Sequence, residues 1–231
     1  MVNQIYKGKL DLLIIDIDDT FIYHRTVALA NKIFLNSLYD FSIKKIIKLA
    51  RTGIYLHILN MIRKVNNKFF RTISCEKMIK IWAKTVVELK IKAEDYEISE
   101  KILKKNIYKN IFDIYRSLKK NNKDMYVLAM TESFNVKGDP IKKILDIDEI
   151  ISNKFISNKG IISKYKINVS KKEDKKKIAE KIIKKIKAKN IGIFVEEYDD
   201  IELLKLKNLR FIAYNKRLRR FIPDNIPRIV L

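Results

Sequence analysis

The sequence predicts an α/β protein: a doubly wound, Rossmann-like parallel sheet with a helical cap inserted after its first strand. Three observations predict it. Short β-branched apolar runs recur and stop abruptly at polar or acidic residues, as buried parallel strands do when their carboxyl ends open into a site. A long block with helical periodicity separates the first two runs. Beyond it, strand-like and helix-like segments alternate, the pattern of a sheet built from crossover units.

The first run is DLLIIDIDDT, residues 11–20, in which four apolar residues lead into Asp16, Asp18 and Asp19. From about residue 25 to residue 120 the apolar spacing becomes three and four. Ile43, Ile46, Ile47, Ala50, Ile54, Ile58, Met61, Ile62 and Val65 make one stripe. Met78, Ile79, Trp82, Val86 and Leu89 make a second, and Ile102, Ile107, Ile111, Ile114 and Leu118 a third. Each is expected to face a core. Gly53 in the middle of the first stripe predicts a bend or a break between two helices. The core is accordingly assigned to residues 1–24 and 118–231, and the cap to 25–117.

Residues 125–130, MYVLAM, form the second strand-like run and end at Thr131. A short helix is expected over 141–145, with Pro140 in its first turn. Asn158-Lys159-Gly160 between Ile-rich segments predicts a hairpin over 155–167. Residues 170–187 read as a Lys-rich helix burying Ile178, Ile182, Ile183 and Ile186. Residues 191–195 are a buried strand that runs into Glu196-Glu197-Tyr198-Asp199-Asp200. A helix through 203–206 and a strand over 211–214 complete the pattern.

Composition narrows the function classes. A chain of 231 residues that is 47% hydrophobic and 10% aromatic can build a sizeable core, which excludes wholesale disorder. Five Gly and three Pro exclude collagen-like and low-complexity architectures. The single cysteine, Cys75, cannot form an intrachain disulfide, and with only two histidines there is no Cys/His zinc site. No apolar stretch reaches the roughly 20 residues of a spanning helix or resembles a secretory leader, so the chain reads as cytoplasmic. The net charge of +23 favours anionic partners. Yet only 10 of the 50 basic residues are Arg, and the abundant Lys is mixed with Ile and Asn, a bias that genome-wide composition produces by itself.

Three strand ends carry polar groups: Asp16, Asp18 and Asp19 after the first, Thr131 after the second, Glu196 and Asp200 after the third. In open α/β sheets such ends converge on one crevice. Carboxylates gathered there repel one another unless a cation sits among them. Oxygen-only donors without a His or Cys cluster point to Mg²⁺.

Asp16-Ile17-Asp18-Asp19-Thr20 at the end of an apolar strand, then Thr131, a downstream lysine and an acid-tipped strand, resemble the haloacid dehalogenase (HAD) superfamily. The likeness extends in order and spacing over nearly the whole chain. The insertion after the first motif resembles the helical cap of the phosphoserine-phosphatase-like branch. So do PIKKILDIDEIISNK (140–154), followed by Asn158-Lys159-Gly160, and the ending that contains AYNKRLRRF and IPRIVL.

The resemblance implies a phosphomonoester hydrolase acting on a small phosphorylated substrate. Asp16 would be the nucleophile that forms an aspartyl-phosphate, and Asp18 the acid that protonates the leaving oxygen and then activates water. Strand side chains alternate, so positions i and i+2 project to the same side, as cooperation of this pair requires. Thr131 and a lysine would bind the phosphoryl oxygens, and Mg²⁺ would be held by Asp16, Asp18, Glu196 and Asp200. Helix register favours Lys175 as the lysine, with Lys172 the alternative. The last motif departs from the family's Gly-Asp-x-x-x-Asp: Val195 replaces the glycine, and Glu196 stands where the metal-binding Asp belongs. The extra methylene moves the carboxylate by about 1.5 Å, which matters to an ion that demands near-ideal octahedral geometry.

The remaining candidates have plainer readings. His57 is isolated, His24 would have at most an auxiliary role at the cap hinge, Cys75 reads as a small apolar filler, and Trp82 as core. Two alternatives belong to a different class. An impaired HAD-like scaffold could bind nucleic acid through its lysines, although no base-stacking or helix-turn-helix signature supports this. Alternatively, the basic amphipathic stretch 41–70 could lie on an anionic membrane. The expected arrangement is that its stripe packs against the other cap helices.

Overall fold

Leu12–Asp16 forms β1, and every residue of it is buried. A strand with both faces covered must be apolar throughout, which is why Leu12, Leu13, Ile14 and Ile15 run without a polar interruption. The computed structural model describes residues 8–17, 20–21, 43–66, 75–96, 104–134, 138–196 and 198–231. Expectations that fall on Asp18, Asp19, His24 and Ile102 lie outside the described residues.

Among the described residues, β1 is followed by the helices α1 (Ile43–Asn66), α2 (Cys75–Glu88) and α3 (Lys109–Asn121), with a short 3-10 helix (Glu94–Tyr96) ahead of α3. The α/β part follows as β2 (Tyr126–Phe134), α4 (Gly138–Leu145), β3 (Glu149–Asn158), β4 (Ile161–Lys166), α5 (Lys172–Ile186) and β5 (Ile191–Val195). It ends with a 3-10 helix (Tyr198–Lys205), β6 (Leu209–Tyr214), a second 3-10 helix (Lys216–Phe221) and β7 (Arg228–Val230). Among the described residues these strands make one seven-stranded sheet in the order β4-β3-β2-β1-β5-β6-β7. Every pairing is parallel except the β3–β4 hairpin. β1 lies at the centre, with Asp16 in register with Met130 on one side and Ile15 with Phe194 on the other.

Alternation along β1 builds two layers. Leu13 and Ile15 pack with Val127, Ala129, Phe194 and Phe211 against α3 and α4, through Ile111, Ile114, Leu118, Ile141 and Leu145. Leu12 and Ile14 pack with Leu128, Met130, Ile193 and Ile212 against Ala179 and Ile182 of α5. This is the doubly wound sandwich that the apolar runs predicted. The hairpin turn is also where it was expected: Lys159 (φ 48°) and Gly160 (φ 77°) both adopt the left-handed conformation that two-residue turns between antiparallel strands require.

The sequence reading needs correction in several places. Gly53 does not break α1, which runs continuously through it. The stripe on α1 does not face a core as a whole. Among the described side chains of α1, Leu49 and Leu59 are the buried apolar positions, while Ile43, Ile47, Ile54 and Ile58 point outward; those of Met61, Ile62 and Val65 lie outside the description. Thr52 and Lys48 of α1 meet Thr85 and Glu88 of α2. α1 carries apolar residues on two sides, and helical spacing alone does not say which side meets α2. Of the helix expected over 203–206, residues 203–205 are 3-10 and end the helix that starts at Tyr198. α3 packs on the sheet: Tyr115 is buried there and its hydroxyl donates to the Leu145 carbonyl.

Candidate active site

Asp16 ends β1 and is only 8% exposed. One residue beyond its register partner Met130 lies Thr131, buried in β2. β5 is hydrogen-bonded to the other side of β1 and delivers Glu196 directly after Val195. The 3-10 helix that follows carries Asp200, which is fully buried. The parallel topology thus brings residues of distant sequence to the same edge of the sheet.

Lys175 closes the arrangement from α5. Its Nζ donates to Asp16 Oδ1 at 3.2 Å and to Asp200 Oδ1 at 2.7 Å. Burial by itself would push this ammonium toward the neutral form. The carboxylates of Asp16, Asp200 and Glu132 outweigh that effect and hold its pKa well above the ordinary lysine value. The position follows from the helix start: the Asp174 carboxylate accepts from the backbone N–H groups of Ser170 (3.1 Å) and Lys171 (3.0 Å). Fixing that first turn aims the next residue inward. The Lys175 ammonium reaches Asp16; the side chain of Lys172, the alternative, lies outside the described residues.

Asp200 is held from a second direction, accepting from the Glu196 N–H through Oδ2 at 3.2 Å. The Glu196 side chain turns toward β6: its Oε1 accepts from Asn215 Nδ2 at 2.8 Å and lies 3.6 Å from Arg217 Nη2. Asn215 caps the 3-10 helix, its Oδ1 accepting from the Arg217 N–H at 3.1 Å. That bond fixes the amide orientation, so its NH₂ faces the glutamate. The carboxylate that departs from the family pattern therefore has a dedicated donor. Thr20, fully buried, lies 3.4 Å from Asp16 Oδ2 through its Oγ1, and Thr131 Oγ1 accepts from the Ser133 N–H at 3.0 Å.

The structure also reveals a residue that sequence reasoning missed. Asn153 of β3 is fully buried and makes four hydrogen bonds. Its Nδ2 donates to the carbonyls of Glu132 (2.6 Å) and Val169 (2.9 Å), and its Oδ1 accepts from the N–H groups of Asn168 (2.8 Å) and Val169 (2.9 Å). It ties the strand bearing Thr131 to the loop that launches Lys175. The available signal was the polar run Ser152-Asn153-Lys154 between Ile150-Ile151 and Phe155-Ile156. Asn215 gave the same kind of signal, a polar residue directly after the apolar run of β6.

Four carboxylates, Asp16, Glu132, Glu196 and Asp200, face one buried ammonium and one exposed guanidinium. The residual negative charge and the all-oxygen donor set fit a hard divalent cation. Among the described residues no three His, Cys, Asp or Glu side chains form a closed metal cage, and Asp18 lies outside them.

This is a doubly wound α/β protein with an acidic, lysine-bridged site at the carboxyl edge of its central strands. It has the fold of the haloacid dehalogenase hydrolases in their phosphoserine-phosphatase-like form. No protein-family model matches the chain, and no curated protein matches it in sequence. Solved structures do match. A substrate-bound phosphoserine phosphatase is 17% identical, with 96% of this chain and 93% of that one covered and a TM-score of 0.61. A HAD family hydrolase from Salmonella enterica serovar Typhi is 12% identical, with 94% and 66% covered and a TM-score of 0.58. Cytosolic 5′-nucleotidase IIIB bound to cytidine is 10% identical, with 99% and 82% covered and a TM-score of 0.61.

Proposed function

We propose that this protein is a Mg²⁺-dependent phosphomonoester hydrolase of the cytoplasm, acting on a small anionic organic phosphate through an aspartyl-phosphate at Asp16. The observation that supports this most is the Lys175 ammonium lying between Asp16 and Asp200. A phosphoryl group transferred to Asp16 would meet a buried cation already in place, at no reorganisation cost.

In the first step an Asp16 carboxylate oxygen attacks phosphorus while the bond from phosphorus to the substrate oxygen breaks. Asp18 supplies the proton that the leaving alkoxide needs. Water then attacks the same phosphorus, Asp18 takes its proton, and inorganic phosphate leaves with the Asp16 carboxylate restored. Thr131 and Lys175 hold the phosphoryl oxygens, and Lys175 offsets the charge that builds on them. Mg²⁺ would be held by Asp16, Asp18, Glu196 and Asp200 and would supply further charge neutralisation at the phosphoryl group. The insertion between β1 and β2 would act as the cap. We assign it residues 25–117, the last of which, in α3, pack on the sheet.

Release of inorganic phosphate from p-nitrophenyl phosphate tests this reading. Turnover should require Mg²⁺, be inhibited by beryllofluoride and vanish in Asp16→Asn. Undiminished activity in that variant, or in EDTA, would overturn it.

A further inference from the structure

We propose that the outer face of α1 is a docking surface for an anionic lipid bilayer. Ile43, Ile47, Ile54 and Ile58 are 70%, 47%, 63% and 43% exposed, four of the ten large hydrophobic side chains exposed among the described residues. Their spacings of four, seven and four put them on one side of the helix, along about 22 Å of its length. Leu49 and Leu59 face the other way and are buried, with Thr52 meeting Thr85 of α2 on the same side. The isoleucine stripe is therefore turned away from the contact between α1 and α2.

Lys44 and Arg51, both exposed, flank the stripe. Lys48 lies farther round, toward α2, where it is paired with Glu88. The whole chain carries +23. Self-association through this face would bring two strongly cationic molecules together. A nucleic acid would satisfy the charge but offers nothing apolar for the isoleucines, and α1 presents no row of aromatic rings for bases to stack on. An anionic bilayer offers both partners, with acyl chains beneath the isoleucines and headgroups at the level of the ammonium and guanidinium groups. The helix would lie on the surface: among the described residues no helix is long and apolar enough to cross a membrane.

The test is co-sedimentation of the full chain with vesicles of phosphatidylcholine alone or mixed with phosphatidylglycerol, at low and at physiological salt. The wild type should bind the mixed vesicles, bind the neutral ones at least ten-fold less, and weaken with salt. Ile47→Ser/Ile54→Ser should lose at least ten-fold in binding with an unchanged melting temperature, because both side chains are exposed. Lys44→Gln/Arg51→Gln should reduce the salt dependence. Three results would overturn the proposal. The wild type could ignore both vesicle types, the isoleucine variant could bind as the wild type does, or the variant could convert a dimer to a monomer in sedimentation equilibrium.

Discussion

Asp16 and Asp200 share one ammonium, Lys175 Nζ lying 3.2 Å from the first and 2.7 Å from the second. Neither carboxylate is near enough to bulk water to be screened by it, since the first is 8% exposed and the second fully buried. Removing the cation leaves two buried acids facing each other. Lys175→Met should cost about 3–5 kcal/mol of stability, read from urea midpoints, and lower phosphatase turnover by at least about 100-fold.

The same relationship sets an alkaline limit. Lys175 binds its proton more tightly in the folded than in the unfolded chain, so its stabilisation is complete below the unfolded value of 10.5. It is lost as pH rises beyond that toward the folded value. Stability of the wild type should therefore fall more steeply than that of Lys175→Met once pH passes about 10.5. Parallel slopes in urea titrations across that range would contradict a lysine held charged by Asp16 and Asp200.

Glu196 depends on Asn215 in a way that separates positioning from folding. Asn215→Ser keeps an oxygen to cap Arg217 but removes the amide that donates to Glu196. The Mg²⁺ concentration for half-maximal activity should rise by about ten-fold or more, with a melting temperature close to that of the wild type. An unchanged Mg²⁺ requirement would mean that the amide serves the helix cap alone.

Asn153→Ala should be among the most damaging changes outside the acidic cluster. It removes a hydrogen bond from two carbonyls and two N–H groups, one of each buried, and a buried group left unsatisfied costs about 1–3 kcal/mol. A loss of about 3 kcal/mol or more in urea unfolding is expected, with reduced turnover in the surviving folded fraction because the Thr131 strand and the Lys175 loop are no longer tied together. Gly160→Val is the matched control. It strains a left-handed turn position by about 1–2 kcal/mol but should leave turnover per folded molecule unchanged.

The central strands and the acidic edge were legible because burial on both faces forces an unbroken apolar run, and the run must stop where the site begins. Asp16, Thr131, Glu196 and Asp200 all announce themselves that way. Lys175 was legible through helix register, since Ile178 and Ile182 fix which side of α5 is inward. Three features were not legible, for physical reasons. β3 starts at Glu149, but Ser152 and Asn153 interrupt its apolar pattern because one of them spends its polarity inside the protein. The outward stripe of α1 satisfies the same helical spacing as an inward one. The bond from Asn215 to Glu196 joins two strand ends that only the parallel pairing of β5 and β6, with Val195 opposite Tyr214, brings together.

The aspartyl-phosphate carries the whole account, and it can be observed directly. Enzyme mixed with p-nitrophenyl phosphate and Mg²⁺, acid-quenched within the first turnover and digested, should yield the peptide containing Asp16 with the added mass of one phosphoryl group. Hydroxylamine should remove that group, as expected of an acyl phosphate, and Asp16→Asn should never acquire it. Phosphate release without any adduct on that peptide, or an adduct on another side chain, would contradict the assignment of Asp16 as the nucleophile.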